Sequence, residues 1–246
     1  MGDFAKITHH LSPITYKIMP ALRLSDDDIY FPNPAHFDTP DVVAYGGDLS
    51  TKRLLLAYSL GIFPWYNEDE PILWWSPDPR MVLFPCDLKF PKSMRPYFNQ
   101  NKFRVTYNAD FQGVMHACMT NNRQGQDEGS WINDDMIEAY TDLNRLGYAH
   151  SVEVWEDEVM VGGLYGVAIG RVFFGESMFT KVPNASKFGF ITLVNHLKTL
   201  GFWLIDCQQE TRHLASLGAK PIPRADFIEI MKKNEKEPNF LMMNDE

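Results

Sequence analysis

The chain has 246 residues, enough for one large domain or two smaller ones, and its 45% apolar and 22% charged residues are typical of a soluble globular protein. Its 32 acidic and 23 basic residues give a net charge of −9, which argues against broad affinity for nucleic acid. Three cysteines without a Cys-x-x-Cys pair argue against a disulfide framework or a zinc site, and no apolar run approaches the roughly 20 residues of a membrane span.

The N-terminal part of the chain predicts a small, mostly irregular unit. Residues 1 to 49 have little hydrophobic periodicity and are rich in Pro, Asp and Gly. Ser50 is a suitable N-cap for a short helix through Leu54 and Tyr58, which Gly61 ends. Because the N-terminus has no apolar signal-peptide core, we expect a cytoplasmic protein.

An aromatic and proline-rich stretch follows over residues 61 to 80. It holds three of the six tryptophans, Trp65, Trp74 and Trp75, and its prolines exclude a helix. Flat aromatic faces on a stiff backbone suit the stacking of a nucleobase. The same composition also fits a buried aromatic plug between two domains, which is the more common use of such clusters.

The rest of the chain alternates between strand and helix patterns. It predicts strands over residues 81–84, 151–155 and 202–208, with two more inside 159–179. It predicts helices over residues 111–120, 133–147, 184–201 and 225–233. We therefore expect an α+β or mixed α/β second domain, with one domain over 1–80 and the other over 81–246.

A basic segment interrupts the acidic composition. Between residues 86 and 104, a single acid accompanies five basic side chains, which are Lys89, Lys92, Arg95, Lys102 and Arg104. Such a strip can hold a few phosphates with salt-sensitive affinity. It is also common on an ordinary solvated surface, so both readings stay open here.

Two polar residues stand out in the predicted strand 202–208. Strand alternation places Asp206 and Gln208 on the same face. Burying them without partners would cost a few kcal/mol, so they need either a neighbouring loop to bond or a catalytic role. In the second case a Gln carbonyl, oriented by the Asp, accepts a hydrogen bond from an attacking amine.

A second candidate for the functional site is Glu176, a polar residue in an otherwise apolar predicted hairpin. Glu176 has the strand phase of Phe174 and Met178, and Gly175 leaves room for a ligand or a backbone. A further glycine cluster in residues 162–166 favours a pocket. The alternative is a bend with the glutamate at an exposed edge.

One more tryptophan precedes a predicted helix. Trp131 could form a second aromatic wall, although a hydrophobic staple at the helix cap is the commoner role. The sequence contains no nucleophile elbow, P-loop or G-x-G-x-x-G turn.

Taken together, the motifs resemble the leucyl/phenylalanyl-tRNA–protein transferase family. Nine matching strings follow the family's order between residues 42 and 227. They are Gly46–Ser50, Gly61–Trp65, Trp74–Arg80, Glu128–Ile132, Gly162–Val167, Gly175–Phe179, Asn184–Lys187, Leu204–Gln208 and Ala215–Ala219.

The resemblance implies a fold and an activity. The fold would be a small N-terminal domain followed by an N-acetyltransferase-like domain with a mixed sheet flanked by helices. The activity would move Leu or Phe, and sometimes Met, from aminoacyl-tRNA to the N-terminal amine of proteins that begin with Arg or Lys, marking them for N-end-rule degradation. An aminoacyl ester is already activated, so no cofactor, metal or covalent intermediate is expected. Analogy also suggests a monomer with no membrane partner.

The resemblance also implies residue roles. Asp206 and Gln208 would carry the reaction. The terminal adenosine would be held by Tyr58, Trp65 and Trp131. The pocket for the transferred side chain would be lined by Leu164, Phe173, Gly175, Glu176, Met178, Phe190 and Ile205. The tRNA backbone would contact Lys89, Lys92 and Arg95.

The sequence departs from the family pattern at three places. The segment before Gly46 is longer than expected, and we assign it no function. Pro96 follows Arg95 where a basic residue is usual, which predicts weaker tRNA binding at raised salt. Leu164 replaces a bulkier Met that can occur there, which bears on the choice between Leu and Phe.

Two other functions compete with this one. An acetyl-CoA-dependent N-acetyltransferase would hold pyrophosphate on a Gly-rich turn, whereas Val182–Lys187 contains Pro and no Gly. A non-catalytic reader of basic protein N-termini would use Asp206 and Glu176, but it leaves the tryptophans and the basic segment without a role.

Overall fold

The computed structural model describes residues 21–37, 41–67, 69–120 and 132–239. These residues form a four-stranded sheet in the order β1-β2-β4-β3 and a seven-stranded sheet in the order β11-β5-β10-β9-β8-β7-β6. The strands of the first sheet are β1 (Leu22–Leu24), β2 (Val42–Gly46), β3 (Phe63–Pro64) and β4 (Leu73–Trp75). Those of the second are β5 (Arg80–Leu83), β6 (Arg104–Tyr107), β7 (Ala149–Glu156), β8 (Val159–Ile169), β9 (Val172–Thr180), β10 (Leu204–Gln208) and β11 (Lys220–Ile222).

Seven α-helices accompany the sheets in the described chain. They are α1 (Thr51–Ser59), α2 (Arg95–Asn99), α3 (Phe111–Thr120), α4 (Asp134–Arg145), α5 (Ala185–Thr199), α6 (Arg212–Ser216) and α7 (Arg224–Asn234). The Asn133 side chain caps α4, because it accepts a hydrogen bond from the backbone N–H of Met136. Gly61 follows the end of α1 with a φ of +73°, as a helix-ending glycine should.

The large sheet is mixed. Strands β9 and β10 run parallel and are joined through α5, whereas the other neighbouring strands are antiparallel. Helix α5 packs on one side against β7 and β8, and a separate buried cluster joins those strands to α3 and α4. The expected α+β class, with a small N-terminal sheet and a larger mixed sheet flanked by helices, is confirmed.

The N-terminal part is more regular than expected. Strands β1 and β2 lie within residues 1–49, which we expected to be irregular, and β3 pairs with β4 inside the aromatic stretch. Strands of two to five residues are too short to show alternation, so hydrophobic periodicity missed them. Within the described residues, no helix is both long and apolar enough to cross a membrane.

The predicted boundary near residue 80 falls between the two sheets, since β4 ends at Trp75 and β5 begins at Arg80. The core does not divide there. One cluster of buried side chains continues from Leu54 and Trp74 to Phe227. The two-domain division therefore stays a prediction.

Two β-bulges change which face the polar residues occupy. Opposite β8, Ser177 pairs with Tyr165 and Gly175 with Gly166, so Glu176 is an extra residue. The shared strand phase that we predicted for Phe174, Glu176 and Met178 is wrong, because Phe174 and Met178 lie in different buried clusters.

The second bulge lies in β10. Asp206 pairs with Val82 and Gln208 with Met81, which leaves Cys207 as the extra residue. Gln208 also has a φ of +60°. The regular alternation that we predicted between Asp206 and Gln208 is therefore wrong, yet the bulge brings both residues to one cavity.

Candidate active site

A cavity of about 420 Å³ opens between the small sheet and the end of β10. Its walls come from β3, β8, β9, α5, β10 and α6, so residues from most of the chain meet there. The predicted site residues that line it are Trp65, Leu164, Phe173, Gly175, Glu176, Met178, Phe190, Ile205, Asp206 and Gln208. The structure thus brings together ten residues that were chosen from separate motifs.

One side of the cavity is an apolar slot. Leu164, Phe173, Phe190 and Ile205 are almost fully buried and belong to one cluster of apolar side chains, against which Met178 packs. At Gly175 a Cβ atom would touch only the carbonyl oxygen of Asp206, at 3.5 Å. The glycine therefore keeps open space beside the slot, and its replacement would not clash with the fold.

The Asp206 carboxylate is held by a buried arginine. Arg80 Nε and Nη2 donate to the two Asp206 oxygens at 2.8 and 2.6 Å, and both side chains are fully buried. The guanidinium lies between the rings of Phe63 and Phe227, 4.8 and 4.6 Å from their centroids. Asp206 Oδ1 also accepts the backbone N–H of Gln208 at 2.9 Å. Its negative charge is thus compensated within the protein.

The Gln208 side chain is fixed by a different carboxylate. Gln208 Nε2 donates to Glu176 Oε1 at 3.1 Å. Among the described residues nothing bonds Gln208 Oε1, so this carbonyl is free to accept a hydrogen bond. The prediction that Asp206 orients Gln208 needs correction, because Asp206 holds the backbone and Glu176 holds the amide.

Glu176 is a buried acid. The residue is 8% exposed; its Oε2 makes no hydrogen bond of standard geometry with a described residue, but the hydroxyls of Tyr58 and Tyr140 lie close enough to act on the carboxylate. Burial raises the pKa of Glu176 to about 8, and the neighbouring Asp206 acts in the same direction. Tyr58, Gln208 and Arg80 lower this pKa and only partly offset the burial.

Tyr58 lies behind this acid. It is fully buried, its ring meets Phe174 edge-on at 5.1 Å, and its hydroxyl bonds that of Tyr140 at 2.5 Å. Burial and the nearby Glu176 raise the pKa of both hydroxyls well above the usual value of 10, so both stay protonated. Tyr58 is not among the residues that line the cavity, and its place at the adenosine end stays a prediction.

The tryptophans have separate positions. Trp65 lines the cavity and lies 5.2 Å from the ring of Trp75, whose Nε1 donates to the Trp65 carbonyl at 2.6 Å. Trp74 is fully buried and donates to the carbonyl of Gly46. Trp74 thus forms the plug, whereas Trp65 has a face on the cavity. Trp131 lies outside the described residues.

The basic segment divides as well. Lys102 forms an ion pair with the last residue of β7, and Arg104 lies over a tryptophan ring of that strand at 5.3 Å. Lys89, Lys92 and Arg95 are exposed and make no ion pair with described residues. These three lie outside the cavity.

A wider groove of about 1,320 Å³ lies next to Tyr66, the neighbour of Trp65. Among the described residues it contains one basic side chain, Arg23. Its acidic side chains are Asp26, Asp27, Asp48, Glu70, Asp134, Asp135, Glu138 and Asp142. None of the predicted site residues within the described chain lines it, and its acidic side chains make the surface at Tyr66 strongly negative.

Sequence reasoning missed three residues of the site. Arg80 ended a recognised motif, but its partner is 126 positions away and no local pattern joins them. Tyr140 looked like an ordinary core position of α4. His213 lines the cavity with an unpartnered Nε2, and burial lowers its pKa. Its short helix gave no sequence signal.

Comparison with known proteins decides the family. The model of the leucyl/phenylalanyl-tRNA protein transferase matches residues 82–232, and the model of that protein's N-terminal domain matches residues 47–78. The chain belongs to this family. The resemblance inferred from the nine motifs is confirmed, and with it the prediction of a transferase enzyme.

Individual relatives agree with the family models. A leucyl/phenylalanyl-tRNA–protein transferase of Flavobacterium johnsoniae is 54% identical over 205 residues, covering 83% of this chain and 96% of the relative. That of Syntrophotalea carbinolica is 50% identical over 223 residues, covering 91% and 96%. A GCN5-related N-acetyltransferase from Kribbella flavida is similar at 14% identity and a TM-score of 0.32, over 68% of this chain and 59% of the other. We draw no conclusion from likeness at that level.

Proposed function

We propose that this transferase moves Leu or Phe, and sometimes Met, from aminoacyl-tRNA to the N-terminal amine of a protein that begins with Arg or Lys. The product would be a substrate of N-end-rule degradation in the cytoplasm. The observation that carries the proposal is one cavity in which an apolar slot meets the free carbonyl of Gln208, in a chain of this family.

The slot suits the transferred amino acid. Its walls are apolar side chains without competing hydrogen-bond groups, so a Leu or Phe side chain gains from burial there. The cavity volume of about 420 Å³ lies in the range of about 300–1,000 Å³ that is usual for small-ligand sites. We place the aminoacyl side chain in the slot and its ester carbonyl near Gln208.

The tRNA end would meet aromatic and basic groups. Trp65 offers a face to the terminal adenosine, with Trp131 as the proposed second wall. Lys89, Lys92 and Arg95 would contact phosphates of the acceptor stem. Because the protein is acidic overall, this contact should be local and sensitive to salt.

The reaction would proceed by positioning. The acceptor amine donates a hydrogen bond to Gln208 Oε1 and attacks the ester carbonyl, and Gln208 is held in place by Asp206 and Glu176. Arg80 already compensates Asp206, so Asp206 is a poor partner for the cationic acceptor side chain. The acidic groove beside Tyr66 is a better source of the field that favours Arg or Lys.

One assay tests the proposal against its competitors. Purified protein is incubated with tRNA carrying labelled Leu and a peptide that begins with Arg. The matched controls are the same peptide with an acetylated N-terminus, and one that begins with Ala. Label in the Arg peptide alone supports the proposal. Tight peptide binding without transfer indicates a reader, and modification by labelled acetyl-CoA indicates an acetyltransferase.

A further inference from the structure

The reaction releases protons that the positioning residues cannot take. The acceptor amine is an ammonium over much of the neutral range, because its pKa is about 7.7–8.0. It must lose one proton before its lone pair can attack and a second as the amide forms. The side-chain amide of Gln208 is not basic, and both carboxylate oxygens of Asp206 already accept hydrogen bonds from Arg80.

Glu176 is the acid that remains next to Gln208. Its Oε1 accepts a hydrogen bond from the Gln208 amide nitrogen at 3.1 Å, and the Glu176 side chain lines the cavity. An amine bound to Gln208 Oε1 would thus lie beside this carboxylate. We infer that Glu176 accepts the first proton of the attacking amine in the proposed transfer, on which this inference rests.

The step balances in atoms and charge. The ammonium N–H bond breaks and its proton joins a Glu176 oxygen, which leaves a neutral amine and a neutral acid. The nitrogen lone pair forms the C–N bond to the ester carbonyl, and the C–O bond to the ribose breaks. The second amine proton goes to that ribose oxygen, and Glu176 returns its proton to solvent.

The surroundings of Glu176 suit this exchange. The charged and titratable groups that face it are Tyr58 from α1, Tyr140 from α4, Arg80 from β5 and Asp206 from β10. Together with burial they bring the pKa of Glu176 to about 8, close to that of an α-amine. A proton passes between two groups of similar pKa with little change in free energy.

The test separates proton transfer from positioning. In Glu176→Gln the new amide oxygen can still accept from Gln208 Nε2, so the hydrogen bond is kept and only the base is lost. Single-turnover transfer from Leu-tRNA to the Arg peptide is measured from pH 6 to 9. We expect the wild-type rate to rise with pH and level off, and the Glu176→Gln rate at pH 7 to fall about 5- to 10-fold, the ratio of ammonium to free amine at that pH.

Chemical rescue supplies the second readout. Glu176→Ala opens space for a small carboxylate, and we expect acetate to restore part of its rate while leaving the wild type unchanged. His213→Gln is the matched variant of another titratable group in the cavity and should keep the wild-type pH profile shape. Peptide and tRNA binding, with thermal unfolding, check that each variant is folded.

The outcomes distinguish the two claims. A Glu176→Gln rate within threefold of the wild type at pH 7 overturns the inference alone, as does a Glu176→Ala variant that acetate does not rescue. A pH profile that changes in His213→Gln and not in Glu176→Gln also overturns it. A wild-type protein that transfers no leucine refutes the proposed function, and this inference with it.

Discussion

Replacing Arg80 by Met should show how much the Arg80–Asp206 ion pair contributes to the stability of the fold and how much to the rate of transfer. Both side chains are fully buried and joined by two hydrogen bonds of 2.8 and 2.6 Å. Met keeps the apolar volume between Phe63 and Phe227 filled, so the main loss is the charge. Removing one partner of a buried ion pair costs about 3–5 kcal/mol.

That cost can be measured by urea denaturation and by thermal unfolding. At about 2–4 °C per kcal/mol for a chain of this size, we expect Arg80→Met to lower the Tm by about 6–20 °C. In the double variant Arg80→Met/Asp206→Leu neither partner is left charged. Its free energy of unfolding should exceed that of Arg80→Met by about 2 kcal/mol or more, because the uncompensated carboxylate is gone.

The matched double variant Arg80→Met/Asp206→Asn isolates the contact to Gln208. Asn keeps an oxygen that can accept the Gln208 backbone N–H, whereas Leu does not. A neutral hydrogen bond of about 0.5–1.5 kcal/mol corresponds to a transfer rate about 2- to 13-fold higher for Asn than for Leu. The reasoning is refuted if Arg80→Met costs less than 1 kcal/mol, or if the two double variants transfer equally fast.

Three further outcomes follow from the site. Trp65→Ala should raise the KM for Leu-tRNA about 5- to 150-fold in steady-state assays with little change in kcat. The control variant Trp65→Phe should retain most of the affinity for Leu-tRNA. A lower kcat at unchanged KM would contradict stacking of the adenosine on Trp65. Lys92→Ala/Arg95→Ala should reduce the slope of log affinity against log salt by about 1.4–1.8 in filter binding, and an unchanged slope would exclude phosphate contacts there. The folded-state pKa of Glu176 is raised, so its contribution to stability is present at acidic pH and is lost as pH rises from about 4.5 through about 8. Urea titrations should show this decline in the wild type and not in Glu176→Gln, and parallel declines would assign it to another group.

The local sequence pattern was sufficient to predict the site residues that belong to regular helices and strands. Alternation and helical spacing identified β8, β9, α5 and β10, and these elements carry Leu164, Phe173, Phe190 and Ile205 into the slot. Apolar positions at strand or helix period must face a core, so their neighbourhood follows from the sequence alone. The ordered motifs then linked this pocket to one family.

The polar half of the site was harder to predict because it depends on irregularities and on distant partners. One extra residue at Glu176 and another at Cys207 break the alternation from which we assigned faces. The pairing of Arg80 with Asp206 spans 126 positions, and that of Tyr58 with Tyr140 spans 82. Neither leaves a periodic trace, so the burial of Tyr58 and the neutralisation of Asp206 are visible only in three dimensions.

The two carboxylates that hold Gln208 are not equivalent. Asp206 has a dedicated cation and bonds the backbone of Gln208, so it holds the bulge in place. Glu176 forms no ion pair within the described chain, and burial alone already favours its neutral form. A proton can therefore reside on Glu176 without disturbing the residue that fixes the backbone. Two acids with different surroundings can take separate roles in one site. Here that difference assigns the geometry of Gln208 to Asp206 and the exchange of protons to Glu176.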